Sequence, residues 1–173
     1  IIYRLFSNED TMYLALQQGD VDMVWSYSAG VAGTYQDVLA GDENVTLINV
    51  AAANAPAVLA FNNAKGLFVD ENLRQAVSYA LDYDAFKTYF GSAYAQIPNR
   101  GFVPETTVGY KQTEKLTTDQ AKAAEYMAAA GYSKKNANGF YVNGDGQIAS
   151  FTLTVNAAKE AHVGYAEMIK NQL

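Results

Sequence analysis

An α/β or mixed α+β fold, a mixed sheet flanked by helices, is expected of this 173-residue chain on three grounds. Short runs alternate apolar and polar residues, as half-buried strands do. Between them lie segments with apolar residues at helical spacing, opened by Asn, Asp or Thr and closed by Gly. The run Asn143-Gly144-Asp145-Gly146, set between two apolar stretches, is a strong hairpin signal.

Taken in order, Ile1–Phe6 alternates and reads as a strand. Ser7 or Asn8 can cap a helix over Thr11–Gln18, with Gly19 as its stop. Val21–Trp25 reads as a second strand, and strand, helix, strand suggests a small α/β unit. Ser26–Gly33 is small and polar and reads as a linker or crossing segment. Tyr35–Ala40 is a short helix ending at Gly41. Val45–Val50 and Ala57–Phe61 are expected strands, joined by Ala51–Pro56. Asp70 is a good N-cap for a helix over Glu71–Leu81, whose apolar face is Leu73, Ala76, Val77, Ala80 and Leu81. Asp82 can cap the next helix, Tyr83–Phe90, closed by Gly91. Ser92–Tyr110 is a long irregular stretch, and a loop of that length is functional or wraps the surface. Thr117 and Gln120 form a capping-box pattern for a helix striped by Ala121, Ala124, Met127 and Ala128 and ended by Gly131. Phe140–Val142 and Ile148–Val155 are strands around the hairpin signal. A polar loop, Asn156–Glu160, leads into a final helix.

Composition narrows the function classes. Half of the residues are hydrophobic and 17% are charged, which is globular rather than disordered. The net charge is −6 and the twelve Lys and Arg are scattered, so the basic stripe that nucleic acid requires is missing. Anionic membrane surfaces are disfavoured for the same reason. There are no cysteines, which excludes disulfides, thiolate catalysis and Cys-ligated zinc. No apolar run is long enough to span a bilayer, and Ile1-Ile2-Tyr3-Arg4 reads as a strand rather than a leader. Both chain ends look like cuts in a longer protein. The Asn143–Gly146 run lacks the carboxylate series of a calcium loop.

Several segments resemble one family in register. Leu14-Ala15-Leu16-Gln17-Gln18-Gly19-Asp20-Val21-Asp22 opens the series, followed by Leu59-Ala60-Phe61-Asn62-Asn63 and Leu67-Phe68-Val69-Asp70. Leu73-Arg74-Gln75-Ala76-Val77-Ser78-Tyr79-Ala80-Leu81-Asp82, Gly101-Phe102-Val103-Pro104 and the run from Ala121 to Tyr132 complete it. Together they resemble the family 5 extracellular solute-binding proteins, the oligopeptide, dipeptide and nickel binders of ABC importers. Each motif alone is weak, but the series spans nearly the whole chain.

The resemblance implies a periplasmic-binding-protein-like type II lobe, incomplete relative to a two-lobed protein. Residues 1–25 would be the edge of the first lobe, leading to the crossing segment. Residues 26–173 would be the N-terminal portion of the second lobe. It implies a ligand, most readily an oligopeptide, enclosed by hinge closure without catalysis. It implies permease subunits as partners, an extracellular or periplasmic location with surface tethering of the whole protein, and no cofactor or metal. The alternatives are a secreted hydrolase domain, for which one histidine and no cysteine is a poor inventory, and an adhesive surface module.

Candidate ligand-binding residues follow from where polar and aromatic groups fall in this scheme. Trp25 and Tyr27 flank the crossing segment, where aromatic faces can cover a ligand or pack a hinge. Arg100 and Phe102 lie in the long loop; Arg100 can pair with a ligand carboxylate or stay solvated. Asn156, Lys159 and His162 lie in the strand-to-helix loop, which in the family carries polar residues that reach the ligand. Asn156 serves equally as a turn residue, and a lone His162 is by default a surface histidine. Arg74 and Asp82 are read as a bridging helix residue and an N-cap, not as chemistry.

Overall fold

The computed structural model describes residues 1–25, 31, 33–48, 57–91, 95–101 and 103–173. The chain divides into two compact units, Ile1–Asn54 with Lys87–Gln96, and Ala55–Phe86 with Ile97–Leu173.

In the first unit, α1 (Glu9–Gln17) starts where Asn8 accepts the Thr11 amide at 3.2 Å. Glu9 and Asp10 place negative charge on the positive end of the helix dipole. The helix ends in a Schellman turn: Asp20 N–H reaches the Ala15 carbonyl at 2.9 Å and Gly19 N–H the Leu16 carbonyl at 3.1 Å. Gly19 takes φ 77°, the left-handed conformation this turn needs. The helix α2 (Gly33–Ala40) begins ahead of the expected Tyr35. The core of this unit is Tyr13, Ala15 and Leu39. Tyr13 packs on Tyr35 with ring centroids 4.5 Å apart, and the Tyr35 hydroxyl donates to the Asp10 carboxylate. At its surface the Asn44 backbone N–H, then the Gln17 amide, holds the Asp42 carboxyl below its ordinary value.

The second unit is organised by α3 (Glu71–Ala80) against α5 (Gln120–Ala129). Asp70 accepts the Asn72 amide at 2.8 Å and opens α3. Arg74 reaches back to the Phe68 and Val69 carbonyls at 2.8 and 3.1 Å, satisfying the 3-10 turn Leu67–Val69. Leu73, Ala76, Val77 and Tyr79 form the buried face of α3. Tyr79 stacks on Tyr126 of α5 at 5.7 Å with planes 6° apart.

The start of α5 corrects one expectation. Its N-cap is Asp119, which accepts the Lys122 amide at 3.0 Å, not Thr117. The nearby polar side chains serve the end of α3 instead. Thr118 donates to the Leu81 carbonyl at 2.7 Å and Gln120 to the Ala80 carbonyl at 2.8 Å. These carbonyls are among those a helix end leaves without intrahelical partners. Asp119 N–H adds a bond to the Tyr79 carbonyl at 2.8 Å. Asp82 caps α4 (Tyr83–Gly91) through the Ala85 amide, and its own N–H donates to Gln172 near the end of α6 (Glu160–Gln172) at 2.9 Å. Phe86 and Tyr165 join the same two helices.

The sheet is smaller than the sequence pattern suggests. Antiparallel β1 (Lys134–Lys135) and β2 (Tyr141–Val142) pair, and Val142 bridges to Ile148. Two turns of the same construction form this meander. Asn136 and Asn143 each accept two amides on the side-chain oxygen, from Asn138 and Phe140 and from Asp145 and Gln147 respectively. Each turn has a glycine in the left-handed region, Gly139 at φ 85° and Gly146 at φ 80°. The expected hairpin is therefore present and has a second copy one turn upstream. Gly146→Ala meets no steric neighbour but must adopt that φ. It should cost about 1–2 kcal/mol in a urea titration; an unchanged midpoint would refute the strain.

The other expected strands form no ladder among the described residues. This holds for Ile1–Phe6, Val21–Trp25, the described part of Val45–Val50, Ala57–Phe61, and Ile148–Val155 beyond Ile148. Ile1, Ile2 and Leu5 are almost wholly exposed. Alternation marks which face wants burial; it does not supply the neighbouring backbone that a strand must bond. Phe61 and Phe151 nonetheless find apolar contact, both packing on Phe68.

Candidate functional site

Of the long irregular stretch Ser92–Tyr110, residues 92–94 and 102 lie outside the described residues, and Pro98–Arg100 close a loop against Glu114–Leu116. Asn99 bridges to Lys115 in antiparallel fashion, Arg100 N–H donates to the Glu114 carbonyl at 2.7 Å, and Leu116 N–H to the Pro98 carbonyl at 3.3 Å. Between these closing contacts lie Gly101 and residues 103–113, with Gly101 and Gly109 at positive φ. The closely spaced ends are those of an Ω-loop.

Arg100 is tied into the scaffold at that base. Its Nε lies 3.5 Å from Glu114, and an Nη1 hydrogen bond reaches the Ser78 hydroxyl at 3.1 Å. The guanidinium sits 4.7 Å from the centre of the buried Tyr79 ring, an effective cation–π distance. Its Nη2 is buried with no hydrogen-bond partner. Beside it Tyr83 donates to the Ser78 carbonyl at 2.7 Å, and burial raises the Tyr83 phenol above its usual value. Asn99, 8% exposed, braces the loop from inside by donating to the Tyr110 hydroxyl and to Glu105.

Asn156, Lys159 and His162 are brought together at the entrance to α6. Asn156 accepts the Ala158 amide at 3.0 Å in an Asx turn, and its carbonyl accepts the Lys159 amide at 3.0 Å. Lys159 is the N-cap residue and provides no side-chain acceptor. The Lys159 carbonyl accepts the His162 amide at 2.9 Å. All three side chains are exposed. Lys159 and His162 thus flank Glu160 at the start of α6.

Trp25 is three-quarters exposed in the first unit. Tyr27 and Phe102 lie outside the described residues. A cleft of about 350 Å³ opens in the second unit between Tyr83, Asp84, Ile97, Lys115, Leu116, Thr117 and Thr118; none of the sequence-derived site residues lines it. Among the described residues no three His, Cys, Asp or Glu side chains are placed to hold a metal, and no helix is long and apolar enough to cross a membrane. Sequence reasoning missed Ser78, Tyr79 and Glu114 as partners of Arg100. Their spacing carries no periodic or motif signal.

Three charged residues of the α3 segment, Asp70, Arg74 and Asp82, serve caps and carbonyls. The model of the bacterial extracellular solute-binding proteins, family 5 middle region, matches residues 1–173, and the chain belongs to that family. It is similar to the oligopeptide-binding protein AppA of Bacillus subtilis (strain 168), 22% identical over 178 residues. That match covers 100% of this chain and 31% of the relative's length. No solved structure gives a significant match.

Proposed function

We propose that this chain is part of the substrate-binding component of an ABC importer and takes an oligopeptide between two lobes by hinge closure, without covalent chemistry. The observation that carries this reading is the family match over the full chain, joined to a relative named for oligopeptide binding. On this reading residues 1–25 belong to one lobe and 26–173 to the other, and the whole protein works outside the cytoplasmic membrane, tethered to the surface, with permease subunits as partners. Ligand contacts come from Trp25, Tyr27, Phe102, Asn156, Lys159 and His162, while Arg100, read from the sequence as a partner for a ligand carboxylate, is held by Ser78, Glu114 and Tyr79 instead. The exposed Lys159 ammonium at the entrance of α6 is a donor for a ligand carboxylate, since a charge-assisted bond adds more than a neutral one. Main-chain hydrogen bonds to a peptide are independent of its sequence, which suits broad specificity.

The test is mass spectrometry of small molecules released when the full-length protein is denatured. A mixture of short peptides is the expected result. A single sugar or metal chelate would rule out the peptide. In the same full-length protein Lys159→Ala and His162→Ala should each weaken peptide affinity about tenfold, the equivalent of about 1.4 kcal/mol. Unchanged affinity in both would remove the α6 entrance from the site.

A further inference from the structure

We propose that Arg100 is a positioning residue: clamped to Tyr79 from behind, it fixes the 101–113 loop in the form that meets the ligand. The affinity half of this inference rests on the reading that the loop lines the ligand site; the clamp itself rests on the geometry alone.

Three groups from separate parts of the second unit converge on this one side chain. Ser78 and Tyr79 belong to α3, and Glu114 belongs to the returning strand of the loop. The Tyr79 ring is itself immobilised, 5% exposed, stacked on Tyr126 and approached by Lys122 Nζ at 4.9 Å. The Arg100 guanidinium therefore rests on a ring that cannot move without disturbing the α3–α5 core. Its backbone also forms part of the loop base: its N–H donates to the Glu114 carbonyl, and its carbonyl accepts the Thr113 hydroxyl. Beyond this base the described part of the loop is largely exposed. Gly101 and Gly109 adopt positive φ, Val108 is fully exposed, and the bracing contacts centre on Asn99, Glu105 and Tyr110. Exposed loops open locally at low cost, and a fixed base restrains such opening.

A lysine cannot replace this arginine. The planar fork presents Nε to Glu114 and Nη1 to Ser78 while its face lies on Tyr79, and a single ammonium cannot do all three.

The experiment uses full-length protein carrying Arg100→Met, Arg100→Lys, Tyr79→Leu or Tyr79→Phe. Two quantities are read: the rate of tryptic cleavage after the exposed Lys111, and the dissociation constant for penta-alanine. Hydrogen exchange of the α3 and α5 amides reports that the core stays folded. Arg100→Met, Arg100→Lys and Tyr79→Leu should speed cleavage at Lys111 at least tenfold and raise the penta-alanine dissociation constant several-fold. Tyr79→Phe keeps the ring and should behave as wild type in both. Cleavage at the wild-type rate in Arg100→Met, with α3 and α5 still protected, overturns the clamp regardless of any binding result. Faster cleavage with unchanged penta-alanine affinity, or no wild-type affinity to lose, overturns the role in ligand binding while leaving the clamp standing.

Discussion

Tyr79→Ala is expected to lower the unfolding free energy by about 3–5 kcal/mol, the range for removing a large buried aromatic. Three losses combine. The cavity is created at a side chain that is 5% exposed, in the face α3 presents to α5. The parallel stack on Tyr126 is lost, and such pairs contribute about 0.5–1.5 kcal/mol beyond their buried area. Arg100 and Lys122, 4.7 and 4.9 Å from the ring centre, lose the surface they rest on. For a chain of this size each kcal/mol moves the melting point by about 2–4 °C, so calorimetry should show a fall of about 6–20 °C. A fall equivalent to less than about 1 kcal/mol would show that Tyr79 is not the centre of this core.

This position shows where sequence reasoning reaches and where it stops. The segment around it was legible as a helix because helix signals are local. Asp70 and Asp82 lie within a few residues of the amides they accept, and Gly19 and Gly131 within a turn of the carbonyls they close over. The exception is instructive. Thr117, Thr118, Asp119 and Gln120 all carry polar side chains at one helix start, and composition alone cannot rank them. The end of α3, about forty residues away, decides it by recruiting Thr118 and Gln120 for its carbonyls. Strands were poorly legible for a related reason. Ile1–Phe6 has the alternation of a strand, but its partner is a matter of distant backbone. The meander succeeded where pairing is enforced by an adjacent turn, Asn143 to Gln147.

The candidate site divides the same way. Asn156, Lys159 and His162 are close in sequence, and a polar loop entering a helix is a pattern visible without coordinates. Arg100 was visible only as a charge in a long loop. Its partner Ser78 is 22 residues away, and Tyr79 and Glu114 are no nearer to being predicted by spacing. What the structure adds is the direction in which the guanidinium is spent, toward the core of its own unit. Loop residues that act through such bracing are invisible to motif reasoning, because the motif lies in space.

The α3–α5 core makes a second large effect available, this time with an internal control. Leu73→Ala should cost about 2–5 kcal/mol, since Leu73 is 5% exposed and its loss leaves a cavity on the face toward α5. Val77→Ala, one turn on and 8% exposed, removes fewer methyl groups and should cost roughly 1.5–3 kcal/mol at about 0.8 kcal/mol per buried carbon plus the cavity. Val69→Ala is the control. Val69 lies just before α3, is 54% exposed, and interacts with Arg74 through its backbone carbonyl, which the substitution keeps. It should shift stability by no more than about 0.5 kcal/mol. Urea unfolding of the three variants should therefore rank them Leu73, Val77, Val69 in decreasing loss, at constant slope. Equal losses at Leu73 and Val69 would mean that apolar content near the helix start, rather than its burial against α5, sets the stability. A loss at Leu73 below about 1 kcal/mol would mean that α3 does not depend on that face at all.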